Sequence, residues 1–274
     1  MPPSKHARLG RAYPAADVYN QVMVDRTPHP TDHPAICPHD VRFEVMRMWW
    51  RNLTFIHVPV AAESVQSMLP ADLTVDTWKG RAWVGLVPFE MEVMTPGGVP
   101  IPREGRFAET NVRTYVHGPD GTPGVWFHSL EAARLSATVA ARFSYGLPYF
   151  WASMRVANAG PVWTYESARR WPGPKGAHHQ SAVRVGGVID EHSHFERFLT
   201  ARWGLFSTWR GRTVYAPVWH APWDLHTAEI EHLDDGLVEA AGFGRVVAEH
   251  AEPVVHWTPG VEVRIGRPRF VQSP

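Results

Sequence analysis

Beyond Arg47 apolar and polar residues alternate in short runs, the period of two that marks strands. Residues 52–58 (NLTFIHV) are rich in β-branched and aromatic side chains and read as a strand. The spacing predicts further strands over 73–77, 83–89, 111–116 and 125–130. Lys79-Gly80, the TPGG of 95–98 and the PDG of 119–121 separate them, each a turn signal. Residues 61–69 and 132–145 carry helical spacing; Pro70 ends the first, and Gly146 caps the second with Pro148 just beyond. Residues 153–157 and 162–166 suggest a hairpin, and 171–176 (WPGPKG) a loop. A third helix is expected over 191–203 behind Asp190 as N-cap, with late strands over 214–219, 237–241 and 261–265. Many short strands and few helices argue for an α+β, barrel-like fold, not a doubly wound sheet.

Residues 1–44 break this pattern. Pro2, Pro3, Pro14, Pro28, Pro30, Pro34 and Pro38 interrupt any helix or ladder, so an extended or disordered arm is expected before a single domain over 45–274. His29, His33, Cys37 and His39 lie in this arm at no recognised zinc spacing and are read as solvated.

Composition narrows the partners. The 274 residues are 44% hydrophobic and carry thirteen Trp, so a large aromatic core is affordable. Lys plus Arg equals Asp plus Glu at 27 each, which argues against nucleic acid or an anionic membrane surface as partner. No apolar run nears the ~20 residues of a membrane helix. The single cysteine, Cys37, and the absence of a hydrophobic leader point to the cytoplasm. Only three of the basic residues are lysines, Lys5, Lys79 and Lys175, and arginine cannot act as an amine nucleophile.

Familiar catalytic signatures fail. Gly242-Phe-Gly244 lacks its third glycine, with Val247 in that place, and Ser144 lacks the first glycine of a nucleophile elbow. His178-His179, His192 with His194, and His226 with His232 complete no ligand set, so neither metal nor cofactor is expected. Residues 109–115 (ETNVRTY) are more informative. Alternation puts Glu109, Asn111, Arg113 and Tyr115 on one face, either a solvated outer surface or the wall of a polar cavity. Arg51, Leu53, Phe55 and His57 likewise share a face, and charge flanking apolar groups suits a mixed pocket. After the Gly146-Leu-Pro turn, Tyr149 and Phe150 follow at once; a phenol there either packs or donates a hydrogen bond.

Together these passages resemble the acetoacetate-decarboxylase-like superfamily and, within it, the YqjF-like family. The resemblance spans roughly 45–270 and rests on residues 53–59 (LTFIHVP), Leu69-Pro70 to Val75, 80–89 (GRAWVGLVPF), 109–115, 146–149 (GLPY) and 220–225 (HAPWDL). It implies a cone-shaped antiparallel β-barrel with a few packed helices and a site inside the cone, favouring the cavity reading of Glu109, Asn111 and Arg113. The decarboxylase's lysine pair falls on Tyr149 and Phe150, so imine chemistry is not expected. Its pocket arginine falls on Arg51 and one of its two glutamates on Glu109; the other has no counterpart in Ala82-Trp-Val-Gly85.

The resulting expectation is a pocket for a small organic acid or carbonyl compound. Glu109 and Tyr149 are the catalytic candidates, and Arg51, His57, Asn111 and Arg113 the substrate-binding ones. An imine-independent lyase, hydratase or isomerase fits these roles; so does a non-catalytic binding or sensing protein on the same fold. Homo-oligomerisation is left open.

Overall fold

The computed structural model describes residues 33–95, 98, 99, 101, 105–244 and 253–271, apart from the side chains of 140 and 143–145. Residues 1–32 of the expected arm lie outside the described residues. The first strands are β1 (Glu44–Ala61), β2 (Thr74–Val75), β3 (Arg81–Val93), β4 (Arg106–His117) and β5 (Pro123–Ala132). Then come β6 (Tyr149–Ala159), β7 (Val162–Trp171), β8 (His178–Val188), β9 (Gly204–Trp209) and β10 (Arg212–His220). The last are β11 (His226–Asp235), β12 (Val254–Gly266) and β13 (Arg269–Phe270). Three short helices interrupt them: α1 (Ala62–Gln66), α2 (Leu135–Tyr145) and α3 (His194–Thr200). The fold is mostly β-sheet. No helix among the described residues is long and apolar enough to cross a membrane.

The strands pair in the order β13-β10-β9-β5-β6-β7-β8-β11-β12-β1-β3-β4-β2, with extra pairings of β10 with β12 and β4 with β5. These additions return the sheet on itself twice. One circuit runs through β9 and β10, the other through β6, β7, β8 and β11, and both share β12, β1, β3, β4 and β5. A shared strand buries both faces. Leu53, Phe55, Val87 and Val263 thus pack in one apolar cluster, while Ile56, Leu86, Val112 and Val255 pack in another.

The all-antiparallel expectation needs correction: β5 runs parallel to both β6 and β9. Chain entry to β6 passes through α2, the kind of crossover that parallel neighbours require. Residues 237–241 are not a strand either. A π-helical turn forms over Glu239–Phe243, and the Asp235 carboxylate accepts from the N–H groups of Leu237 and Val238 just before it. α3 starts at His194, not 191. Ser193, not Asp190, caps it, accepting from Glu196 N–H while Glu196 Oε2 accepts from Ser193 N–H.

His33, expected in a solvated arm, is buried. Its Nε2 lies 3.2 Å from the Asp76 carboxylate, which also receives Arg202 Nη1 at 2.7 Å. Nearby, Trp203 Nε1 donates to Pro34 O at 3.1 Å. The end of the arm is therefore pinned to the sheet.

Candidate active-site cavity

β4 supplies the polar wall. Its alternation turns Glu109, Asn111 and Arg113 toward a cavity of about 90 Å3 and Thr110, Val112 and Thr114 the other way. Both faces are buried, so the solvated-surface alternative falls: Glu109 is 2%, Asn111 5% and Arg113 6% exposed. The remaining lining is mainly apolar and includes Met48, Trp50, Leu53, Phe89, Met91 and Phe127.

Glu109 is held by a single hydrogen bond. Tyr149 Oη donates to its Oε2 at 2.9 Å. Burial outweighs that bond and pushes the Glu109 carboxyl up to about 8, so at neutral pH it carries a proton. Burial and the adjacent carboxyl likewise push the Tyr149 phenol well above its ordinary range. The neighbouring turn places this phenol. Gly146 ends α2 at φ 63, where a Cβ would come within 2.0 Å of Thr208 O. Arg142 Nη1 then donates to Tyr149 O at 2.6 Å and fixes the start of β6.

Among the described residues Arg113 takes no carboxylate partner. Its Nη2 donates to Tyr115 Oη and Leu199 O, both at 3.5 Å, and the guanidinium lies 5.2 Å from the Phe55 ring centroid. Its Nε is buried without a hydrogen-bond partner, as is Asn111 Oδ1. Among the described residues Glu109 and Arg113 are not paired with each other.

His57 does not line the cavity; it lies on the same inward face as Arg113 and Tyr115, fully buried beyond the cavity. Tyr115 gives its only proton to Leu199 O at 2.5 Å, so the 2.5 Å contact with His57 needs the His57 proton on Nε2. Burial, then the Arg113 charge, holds the imidazole far below its usual value and keeps it neutral. Gly85 makes room for this contact. It pairs with both His57 and Arg113, and a Cβ there would meet the His57 ring at 3.1 Å and Arg113 Cγ at 3.5 Å.

Arg51 is the second correction. Its side chain is 37% exposed, pairs with Glu92 at 2.8 Å and lies over the Trp49 ring, away from the cavity. The cause is a slip in β1: Asn52 adopts φ 50 next to Arg51, whose partner on β12 is Gly260 at φ 116, and the β1–β3 register shifts between Arg51 and Ile56. Met46, Met48 and Trp50 thus face the cavity on one phase of the alternation and Leu53 on the next, with Arg51 and Asn52 absorbing the step. The signal was present in the apolar spacing 46, 48, 50, 53, 55, which changes parity between Trp50 and Leu53.

The other singled-out histidines serve elsewhere. His179 bridges Ser181 Oγ at 2.9 Å and Asp235 Oδ1 at 3.3 Å inside the second circuit. Phe150, on the opposite face of β6 from Tyr149, stacks under Arg169, which is ion-paired with Glu131 at 2.5 Å. His220 packs between Trp203 and Trp223, and burial lowers it to about 4. Among the described residues no three potential metal ligands converge.

Comparison with known proteins adds a family and a fold. Residues 47–262 match DUF2071, described as an uncharacterized conserved protein. The uncharacterized protein YqjF of Bacillus subtilis (strain 168) is 32% identical over 216 residues, covering 78% of this chain and 87% of that protein. An acetoacetate decarboxylase-like enzyme from Sphingomonas wittichii RW1 superposes with a TM-score of 0.59 at 13% identity, over 86% of this chain and 96% of that one. The enduracididine biosynthesis enzyme MppR, complexed with pyruvate, gives 0.58 at 13% identity, over 86% and 94%. An acetoacetate decarboxylase from Legionella pneumophila gives 0.58 at 12% identity, over 86% and 92%.

Proposed function

This chain belongs to the DUF2071 family, and from that premise we propose that its β4 cavity is a pocket for a short organic acid or carbonyl compound. We read the two pairing circuits as a cone-shaped barrel of the decarboxylase kind, with the pocket inside it. One observation carries the reading: a buried Glu109, whose carboxyl burial pushes up to about 8, and a buried Arg113 without a carboxylate partner among the described residues stand on the same wall. An enclosed guanidinium cannot shed its proton and is best satisfied by an anion, most fully by a bidentate carboxylate. A structural relative complexed with pyruvate, itself a short acid, supports that class.

The chemistry proposed is proton transfer without an imine. Lys79 and Lys175 are exposed and line no part of the cavity. A carboxyl poised near 8 both donates and accepts protons close to neutrality, and Tyr149 supports its ionised form. Arg113 would hold the ligand's carboxylate or a developing oxyanion, as in a lyase, hydratase or isomerase. Non-catalytic binding is the second reading. It is favoured by a lining that, among the described residues, has no Ser, Thr, Cys, Lys or His.

Two measurements test this. Borohydride with pyruvate or acetoacetate is expected to leave the intact mass unchanged; a stoichiometric adduct on one lysine overturns the imine-free route. Short carboxylates are expected to raise the melting temperature of wild type and to lose that effect in Arg113→Met. Stabilisation by sugars or amines alone, or acid binding undiminished in the variant, removes the pocket assignment.

A further inference from the structure

Resting on the acid-pocket reading, we propose that the β4 cavity takes only the acid head of its ligand. A second cavity, at a fork in the sheet, takes the rest of the same molecule: an uncharged apolar body about the size of a phenyl ring. The fork lies on β5. Its pairing with β9 covers Val125 and Trp126, and its pairing with β6 begins at Leu130. Over residues 127–129 β5 therefore has a strand partner on one side only, β4, and the register slips there past His128. The turn of 146–148 fills part of the gap, with Leu130 N–H donating to Pro148 O at 3.0 Å. A cavity of about 230 Å3 remains, lined by Trp126 and His128 of β5, by Phe206 of β9 and by Pro148. Phe127 and Leu147 line both this cavity and the one at β4, so the two meet at these side chains. Leu147 is half-buried, and its backbone is held by Tyr149 N–H donating to Leu147 O at 2.8 Å. A rotamer change of Leu147 joins the two spaces without moving the strands.

Volume divides the ligand. A dry cavity of ~150 Å3 accepts benzene. The inner cavity, at about 90 Å3, is too small for a ring, whereas the outer one, at about 230 Å3, has room for it. Chemistry divides the ligand in the same way. Glu109 and Arg113 line the inner cavity and not the outer. Among the described residues the outer lining has no carboxylate, lysine or arginine, and burial lowers the His128 imidazole to about 4, which leaves it neutral at pH 7. A charged body would give up its hydration there with no counter-charge to replace it. Trp126, Phe127 and Phe206 instead offer aromatic faces and edges to a flat apolar group. The molecule that fits is a monocarboxylate with its acid on Arg113, a short linker past Leu147 and a neutral ring in the fork.

Calorimetric titration of the full chain with butyrate, phenylacetate, 3-phenylpropionate, 4-phenylbutyrate and 5-phenylpentanoate provides the test. One of the phenyl acids is expected to bind at least tenfold tighter than butyrate, at the linker length that reaches the fork. Its 4-carboxyphenyl analogue is expected to lose that gain. Trp126 and His128 line the outer cavity alone. Trp126→Ala and His128→Ala are each expected to lower the ratio to butyrate at least threefold, with butyrate itself bound as before. Arg113→Met is expected to abolish binding of both acids. If no phenyl acid exceeds butyrate tenfold in wild type, a result that needs no variant to fold, the second compartment is overturned and the acid pocket stands. A ratio unchanged in both Trp126→Ala and His128→Ala, or a gain kept by the carboxyphenyl analogue, also overturns it. So does phenyl-acid binding undiminished in Arg113→Met, because ring and acid head would then not share one molecule across the two cavities. Failure of all the acids to bind, butyrate included, removes the acid pocket and the second compartment together.

Discussion

Glu109 shows how one residue's surroundings set its chemistry. An unfolded glutamate ionises near 4.5, whereas the folded one holds its proton to about 8. Between these values the folded chain binds a proton that the unfolded chain has lost. Stability is therefore fully present below about 4.5 and falls as pH rises toward 8, by about 1.4 kcal/mol per pH unit at the steepest. Urea titrations from pH 5 to 9 should show this decline in wild type and not in Glu109→Gln; parallel curves would mean that Glu109 is ionised when folded. At Gly85, substitution by alanine forces a Cβ to 3.1 Å from the His57 ring. It should cost about 1–3 kcal/mol, read as a lower denaturation midpoint. Alternation was enough to place Glu109, Asn111 and Arg113 on one face in the sequence. It misplaced Arg51, because a regular two-residue period was carried through a step that Asn52 takes at positive φ. Asparagine tolerates that region better than most residues, which is the local clue.

Among the elements, the joint between α2 and β6 carries most of the site's precision. Gly146 combines a left-handed φ with close approach to Thr208 O, and Tyr149 follows three residues later. Gly146→Ala should destabilise by more than about 2 kcal/mol and weaken acid binding together, since backbone must move at the point that aims the phenol. A melting-temperature change without any loss of binding would show that the turn does not position Tyr149. The glycine at the helix end was readable in the sequence, and so was the turn after it. β8, β9 and β11 were not. β8 and β11 are rich in polar residues such as His178, Gln180, Glu229 and Glu231, which leave no strong period of two. α3 was placed three residues early although the Ser193–Glu196 spacing already had the form of a capping box.

At the scale of the molecule, the sheet order depends on pairings that no local pattern encodes. β4 with β5 is a neighbour contact, but β10 with β12 and β1 with β12 join segments far apart in the chain. That is why the strand-rich class was legible and the parallel partners of β5 were not. The buried Asp76 site ties the arm to this sheet. Burial opposes its charge, yet the His33 hydrogen bond and the Arg202 charge hold the carboxyl well below its ordinary range. Its contribution is present above about pH 4 and is lost as pH falls. Asp76→Asn leaves the fully buried Arg202 without its ion-pair partner and should cost about 3–5 kcal/mol in chemical denaturation. It should also expose the segment around 33–40 to limited proteolysis, and resistance equal to wild type would show that His33 does not fasten it.

β4 has both faces buried and both edges paired, to β3 and to β5. Its amides have no local route to water, so their deuterium uptake should proceed only through global unfolding and should report the stability of the whole chain. A ligand seated against Glu109, Asn111 and Arg113 would then slow exchange along β4 only as far as it stabilises the entire fold. The local footprint should fall on 133–148, the half-buried crossover whose Leu147 touches the cavity. In an exchange experiment the occupant would be felt most at the rim and least at the wall that grips it.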